Sequence, residues 1–560
     1  MKNLNFFLFC LVVFAAQAVS AQTFSSIDIN PGPGNSSPYT SIAFNGNVYF
    51  RANGDAATGG ELWASDGTAA GTHMVKDIWP GPGSSSPNRF KIVGSKLFFD
   101  ANDSIHGTEL WVTDGTTAGT VMVADIYSGI SPSYPDDLTA YNGNLYFKAD
   151  DGIHGPELWV SDGTTAGTSL LKDINPGMNG SDPFAVNVSN DGIYVDYSFT
   201  LWNGKLYFRA DDGVHGSELW VTDGSSAGTK MVVDIWQGPS GSNAYFMTPL
   251  GSNLILGATD SLHGMELWIT DGTAPGTSLL KDIYPGTMGS NPADNGGFKL
   301  INGKLCFTAV TPNEGSEMWI TDGTTAGTTL LKDIWPGPGF SRAGYFGMEA
   351  YNGKLYFSGV DSLNGSQLWT TDGTSAGTTL LKVLSTTTPY SSFPNSYIIY
   401  NGKMVFVAST DVVNQTQLWT SDGTAAGTHT IAPAVAPNAN PLGYPPSFCI
   451  LNGLLFMNAN FNSIGDELWI YSTPTGITEA SGEHVISAYP NPFSTVVSLS
   501  GLVNGEQYDV QVLDMTGREF YRSAISADQS MVSMPELSAG VYLMTVSGQS
   551  SSQTFKVVKQ

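Results

Sequence analysis

An aspartate and a histidine three residues apart recur four times in this chain, as Asp103 and His106, Asp151 and His154, Asp212 and His215, and Asp260 and His263. A carboxylate beside an imidazole can bind a metal, poise a proton or recognise a polar ligand. Aspartate fills the same slot at Asp55, Asp361 and Asp411. A ring of such carboxylates could hold a hard cation such as calcium through oxygen ligands. The histidine slot is less constant, being Asn364 and Asn414 in two copies and Thr58, Glu314 and Ile464 in three others. That variation suits a loop-packing or glycan-contacting position better than a transition-metal site, and no zinc or EF-hand spacing occurs. The expectation is no resident cofactor, with calcium as the alternative.

Two more acidic slots are set by a repeated tryptophan. Two residues before it stand Glu61, Glu109, Glu157, Glu218, Glu266, Glu317 and Glu467, replaced by Gln367 and Gln417 in two copies. A slot that takes either residue needs a carbonyl-type acceptor more than a charge, which points to backbone hydrogen bonding rather than catalysis. Three residues after the tryptophan come Asp66, Asp114, Asp162, Asp223, Asp271, Asp322, Asp372 and Asp422. Each precedes a glycine, where a carboxylate can accept the N–H groups of a tight turn. Catalysis needs one copy to differ from the rest. The one large irregularity is an excess of 13 residues around 178–198, which holds Asp182, Asp191 and Asp196 with Tyr194 and Tyr197. A glycosidase or lyase could place its acid and base there, although no spacing marks such a pair.

The elements that must position these residues are repeats. The tryptophans are Trp63, Trp111, Trp159, Trp220, Trp268, Trp319, Trp369, Trp419 and Trp469, spaced 48, 48, 61, 48, 51, 50, 50 and 50 residues apart. A period near 50 is that of propeller blades. In the third copy, strands are predicted around Asp137–Tyr141, Asn144–Ala149, Glu157–Ser161 and Ser169–Ile174. Asn142-Gly143 reads as a two-residue hairpin turn with both φ positive. Asp162-Gly163-Thr164-Thr165-Ala166-Gly167 links the third and fourth strands, and both its glycines recur in the eight copies that have this turn, which we attribute to positive φ. The tryptophans read as structural, since each removes roughly 150–250 Å² from water when buried.

The termini complete one another. The ninth copy lacks a fourth strand, while Ser26-Ile27-Asp28-Ile29-Asn30-Pro31-Gly32 matches the fourth-strand text Val75-Lys76-Asp77-Ile78-Trp79-Pro80-Gly81. The predicted fold is therefore all-β: a nine-bladed β-propeller closed by an N-terminal outer strand, with its edges hidden by pairing, followed by a small C-terminal Ig-like β-sandwich. The loop between second and third strands should share a face with the connections between blades, the face where ligands bind.

Residues 1–21 read as a signal peptide, with Lys2, an apolar stretch over Leu4–Phe14 and the small-residue end Val19-Ser20-Ala21. Cys10 lies inside the apolar stretch, which argues against a lipoprotein anchor. No later segment reaches the roughly 18 apolar residues of a transmembrane helix. Cys306 and Cys449 fall in different repeats, too far apart for a disulfide. With Lys2 and residues 480–560 set aside, 42 acids face 18 bases, a charge of −24. Such a surface excludes nucleic acid and leaves cations, neutral glycans or a basic protein patch as partners.

The text ELWxxDGTxxGT resembles the ELWxxDGT repeat family of secreted bacterial proteins over residues 24–471. That resemblance implies a propeller outside the cell, with no assigned reaction. After a linker at 474–483, the stretches Ala488-Tyr489-Pro490-Asn491-Pro492-Phe493, Val512-Leu513-Asp514-Met515-Thr516-Gly517-Arg518, Leu537-Ser538-Ala539-Gly540-Val541-Tyr542 and Phe555-Lys556-Val557-Val558-Lys559 resemble the type A sorting domain of the type IX secretion system. Its landmarks here are Pro490, Asn491, Pro492, Gly517, Gly540 and Lys556. The family implies a Bacteroidota source, partnership with the type IX machinery, and removal of residues 484–560 with release or surface attachment.

The domains expected are thus 1–21, a propeller over 22–473, the linker, and 484–560. The functional expectation is a non-enzymatic secreted or surface propeller that binds an extracellular glycan, matrix or cell-surface partner. A polysaccharide-degrading enzyme and a calcium-stabilised surface protein are the alternatives. Candidate ligand-face residues are the four Asp/His pairs with Asp191 and Asp196.

Overall fold

The computed structural model describes residues 23–560 apart from 33, 56, 185–186, 189–194, 197–198, 295, 387–391, 411–415, 432–441, 443–446, 462–464, 474–486, 490–494, 501, 503–506, 515–517, 527–530, 535–536, 539, 549–551 and 560. The signal peptide, the linker, Asp191, Asp411, Asn414, Ile464, Pro490, Asn491, Pro492 and Gly517 lie outside the described residues. Phe24–Tyr471 forms one compact unit and Ser472–Gln560 belongs to another.

In the first unit eight sheets each take four consecutive antiparallel strands, from the first at residues 39–76 to the eighth at 395–431. A ninth is built from both ends of the unit, in the order Thr23–Ile27, Glu467–Ser472, Leu454–Ala459, Cys449–Leu451. No helix occurs among the described residues. This all-β arrangement of small sheets is consistent with a propeller-like fold.

The tryptophans explain why the sheets stack. Leu62 and Ala64 of the first sheet share a core with Phe99 and Trp111 of the second. The same pairing joins each later sheet to the next. Phe456 and Leu468 of the ninth then share a core with Val48 and Phe50 of the first. Trp111 to Trp469 are buried. Trp63, which faces the short N-terminal strand, is only partly so. Polar ties add to the packing, as the Tyr141 hydroxyl donates to the Gly204 carbonyl at 2.5 Å and the Thr117 hydroxyl to that of Val75 at 2.7 Å. Cys306 and Cys449 are buried free thiols, both pushed up to about 12 by burial.

Local geometry corrects two expectations. The fourth strand of the third sheet ends at Lys172, short of Ile174, because the Ile174 N–H leaves the ladder to donate to Glu157 at 3.1 Å. Of the two glycines in the turn between third and fourth strands, only the first needs positive φ, at +83° for Gly163. The second is glycine because a Cβ on Gly167 would stand 2.1 Å from a carboxylate oxygen of Asp162. The hairpin turn is as expected, with φ of 48° at Asn142 and 79° at Gly143.

In the second unit, Ser487–Tyr489, Val496–Ser500 and Met531–Ser533 form one sheet. Glu519–Ser526, Gln507–Asp514, Gly540–Ser547 and Ser552–Lys559 form the other, in that order. A single cluster with Val497, Leu499, Val510, Met544 and Val557 draws from both. Gly540 opens a strand opposite Lys559, and Lys556 pairs with Leu543.

Candidate functional site

The Asp/His pairs fasten their own loops. In the second sheet His106 Nδ1 lies 2.7 Å from one Asp103 oxygen, while the N–H groups of Ile105 and His106 donate to the other at 2.9 and 2.8 Å. The pairs at Asp151, Asp212 and Asp260 repeat this at 2.7 to 2.8 Å. The hydrogen bond to aspartate raises each histidine above its ordinary value. Burial opposes ionisation of each aspartate, yet the hydrogen bonds from histidine and loop together hold it below the ordinary carboxylate range. Asn364 closes the same loop on Asp361 at 2.9 Å, and Glu314 does so through Thr311 at 2.5 Å. The slot varies because any donor or acceptor of suitable reach can close the turn. Among the described residues no three His, Cys, Asp or Glu side chains meet as a metal-ligand group.

The Trp+3 aspartates hold turns in a similar way. Asp66 accepts the N–H and hydroxyl of Thr68, both at 2.8 Å, and these bonds hold it below its ordinary value.

The buried glutamates are clamps. Glu109 accepts the N–H groups of Ile126 and Ser133 at 3.0 and 2.9 Å and the Ser133 hydroxyl at 2.6 Å. Gln367 fills the slot with its oxygen toward the Leu384 N–H at 2.8 Å and its amide donating to the Ser385 carbonyl at 2.7 Å. Glu467 reaches across the chain ends to the Ile29 N–H at 2.9 Å and the Ser36 N–H and hydroxyl at 3.1 and 2.6 Å. Burial raises all seven glutamates, Glu109 and Glu317 to about 7.

A pH dependence follows. A carboxyl whose folded value is raised binds its proton more tightly in the native state. Its contribution is complete below the ordinary value of 4.5 and is lost as pH rises through about 7. The four histidines, also raised, lose theirs in the same direction. The turn aspartates, held low, act oppositely and only in stronger acid. The melting temperature is expected to be higher at about pH 5 than at about pH 8. Scanning calorimetry checks this, and a higher melting point at the alkaline end would refute it.

The strand register also aligns residues that sequence spacing did not single out. Opposite the residue just before tryptophan, the second strand carries Arg51, Asp100, Lys148 and Arg209 in sheets one to four, but Gly257, Thr308, Ser358 and Val407 in five to eight. Arg89 bridges Asp136 at 2.7 Å and Asp100 at 3.1 Å. Burial lifts Asp100 to about 6 against the pull of Arg89. Lys148 meets Asp182 at 3.1 Å, and the Arg209 guanidinium stacks 4.1 Å from the Phe184 ring. Self-alignment of the second strands would have exposed this charged arc. Asp196 lies in a two-residue strand, opposite Asn187.

A second repeated slot follows the clamped serine. Ser37, Ser86, Tyr134, Asp182, Asn243, Asn291, Arg342 and Phe393 all have φ between 43° and 51°. Each comes directly after a buried serine. These connections run beside the loop between second and third strands, as the bridge between Ser316 and Phe340 shows. Between the sixth and seventh sheets they border a cavity of about 450 Å³ lined by Trp335, Gly339, Phe340, Arg342, Val360, Ser366 and Phe393.

Residues 487–560 match the family described as the secretion system C-terminal sorting domain. This domain marks the chain for export by the type IX system to the cell surface or extracellular space. No curated protein matches the chain. Among solved structures it is similar to a puromycin hydrolase mutant complexed with PGG, at 13% identity over 68% of this chain and 60% of that one, with a TM-score of 0.33. It is also similar to oligopeptidase B from Leishmania major, at 10% over 70% and 55%, with a TM-score of 0.35. The extracellular domain of a putative one-component system from B. thetaiotaomicron gives 10% over 96% and 98%, with a TM-score of 0.23. The chain spans about three fifths of the length of the first of these.

Proposed function

We propose that residues 22–473 form a closed nine-bladed propeller of the ELWxxDGT kind which binds an extracellular glycan or protein without catalysing a reaction, and that residues 484–560 form a sandwich-type sorting domain removed after export. Nine successive shared cores, the last returning to the first sheet, support the ring.

The observation that carries the binding function is the slot after the clamped serine. Its backbone is the same in eight sheets, in a left-handed conformation that disfavours most residues other than glycine. Its side chains nevertheless range over Ser, Tyr, Asp, Asn, Arg and Phe. A constant, strained backbone that presents different side chains on one face is the arrangement of a recognition surface. The polar slots that do repeat are engaged in hydrogen bonds within the scaffold, so catalysis by them is disfavoured.

The test has two arms. Protein purified after export is applied to a glycan array and to extracellular matrix proteins, and saturable binding is expected. Absence of any binding would overturn the reading. Deletion of residues 480–560 is expected to leave the chain in the periplasm by fractionation. Normal secretion of the truncated chain would refute the sorting role.

A further inference from the structure

The cavity between the sixth and seventh sheets has a volume of about 450 Å³, within the range of roughly 300–1,000 Å³ typical of small-molecule sites. Trp335, Phe340 and Phe393 line it with aromatic surface. Phe340 is 56% exposed, although a phenylalanine gains by burial. Arg342 lines the same cavity, and no ion pair to it occurs among the described residues. Ser366, 2% exposed, closes the wall of the same cavity.

The first sheet supplies an internal control. Both sheets carry Trp-Pro-Gly-Pro-Gly, with the indole of Trp79 over Gly83 and that of Trp335 over Gly339. A Cβ on either glycine would lie 2.3 Å from an indole atom. Ser84 and Ser86 stand in the first sheet where Phe340 and Arg342 stand in the sixth. The aromatic and cationic groups are therefore additions to a turn that folds without them.

We infer that this cavity binds an anionic sugar unit of an extracellular polysaccharide. The ring stacks on Trp335 and Phe340, and its carboxylate or sulfate meets the Arg342 guanidinium. Aromatic faces supply apolar contact area, and a guanidinium pairs with planar oxyanions in bidentate fashion. The inference rests on the binding function proposed above and names the site and ligand chemistry.

The test is calorimetric titration of the exported protein with trigalacturonate, a sulfated chondroitin disaccharide and neutral cellotriose. The wild type is expected to bind one of the two anionic sugars and to bind cellotriose at least about tenfold more weakly. R342S should weaken anionic binding about tenfold or more and leave the melting temperature unchanged, since Ser86 holds φ at 51° where Arg342 holds 46°. F340S should weaken both anionic and neutral binding. Anionic sugar binding that survives R342S unchanged overturns the site while leaving the propeller's binding function in place. A preference for cellotriose, or binding of an acidic peptide in place of either sugar, overturns the ligand class. No sugar bound by the wild type overturns the inference, and the array then decides separately whether the general binding function stands.

Discussion

Replacing Glu467 by alanine is expected to destabilise the first unit by about 3–9 kcal/mol, because three buried donors lose their acceptor at about 1–3 kcal/mol each. Those donors are the Ile29 N–H, the Ser36 N–H and the Ser36 hydroxyl. Glu467 differs from its copies in one respect: its partners belong to the other end of the unit, 438 residues away in the case of Ile29. In the second sheet the same clamp holds residues 17 and 24 positions downstream. Loss of the clamp at Glu109 should loosen one connection, whereas loss at Glu467 should free the N-terminal strand that completes the ninth sheet.

The two variants are thus separable. E467A is expected to accelerate hydrogen exchange and proteolysis at residues 23–36, while E109A should do so around Ile126–Ser133, both with lowered denaturant midpoints. Glu467→Gln should cost less than half as much, since Gln367 shows that an amide can hold this slot. A stability of E467A within about 0.5 kcal/mol of wild type would place the closure elsewhere.

Alanine at Gly315 is expected to be comparably damaging, and at Gly339 far less so. Gly315 has φ +71°, and a Cβ there would lie 1.7 Å from the Gly339 carbonyl oxygen. A left-handed alanine costs roughly 1–2 kcal/mol, and displacing a backbone carbonyl in a packed site adds about 1–3 kcal/mol. The sum is about 2–5 kcal/mol. At Gly339 the obstacle is the Trp335 indole, a side chain that can swing aside. G339A should remain within about 1 kcal/mol of wild type while weakening trigalacturonate or chondroitin-disaccharide binding, because one wall of the cavity moves. Equal melting temperatures for G315A and wild type would show that the connection has slack the structure does not suggest.

Much of the scaffold is readable from residue order. The tryptophan period locates the sheets, Asn-Gly locates the hairpins, and the kinship of Asp28-Ile29 with Asp77-Ile78 locates the strand that joins the ends. The exchange of glutamate for glutamine exposes the clamp as a hydrogen-bonding device before any partner is known. Where sequence reading stopped short, the missing term was a neighbour. Gly163 and Gly167 look alike in the text, yet one answers to its own φ and the other to the approach of Asp162. Aligning the second strands marks Arg51, Asp100, Lys148 and Arg209 as one slot, but only packing decides that Arg89 bridges Asp100 to Asp136 and that Arg209 stacks on Phe184.

Residue order alone determined the repeat, its turns and the export signal at the C-terminus, since these depend on local backbone preference and on motifs read within one segment. Tertiary structure alone decided that Phe340, Arg342, Ser366 and Phe393 border one cavity. They come from two connections and a strand up to 53 positions apart, and only the packing of one sheet on the next brings such residues within reach of a single ligand.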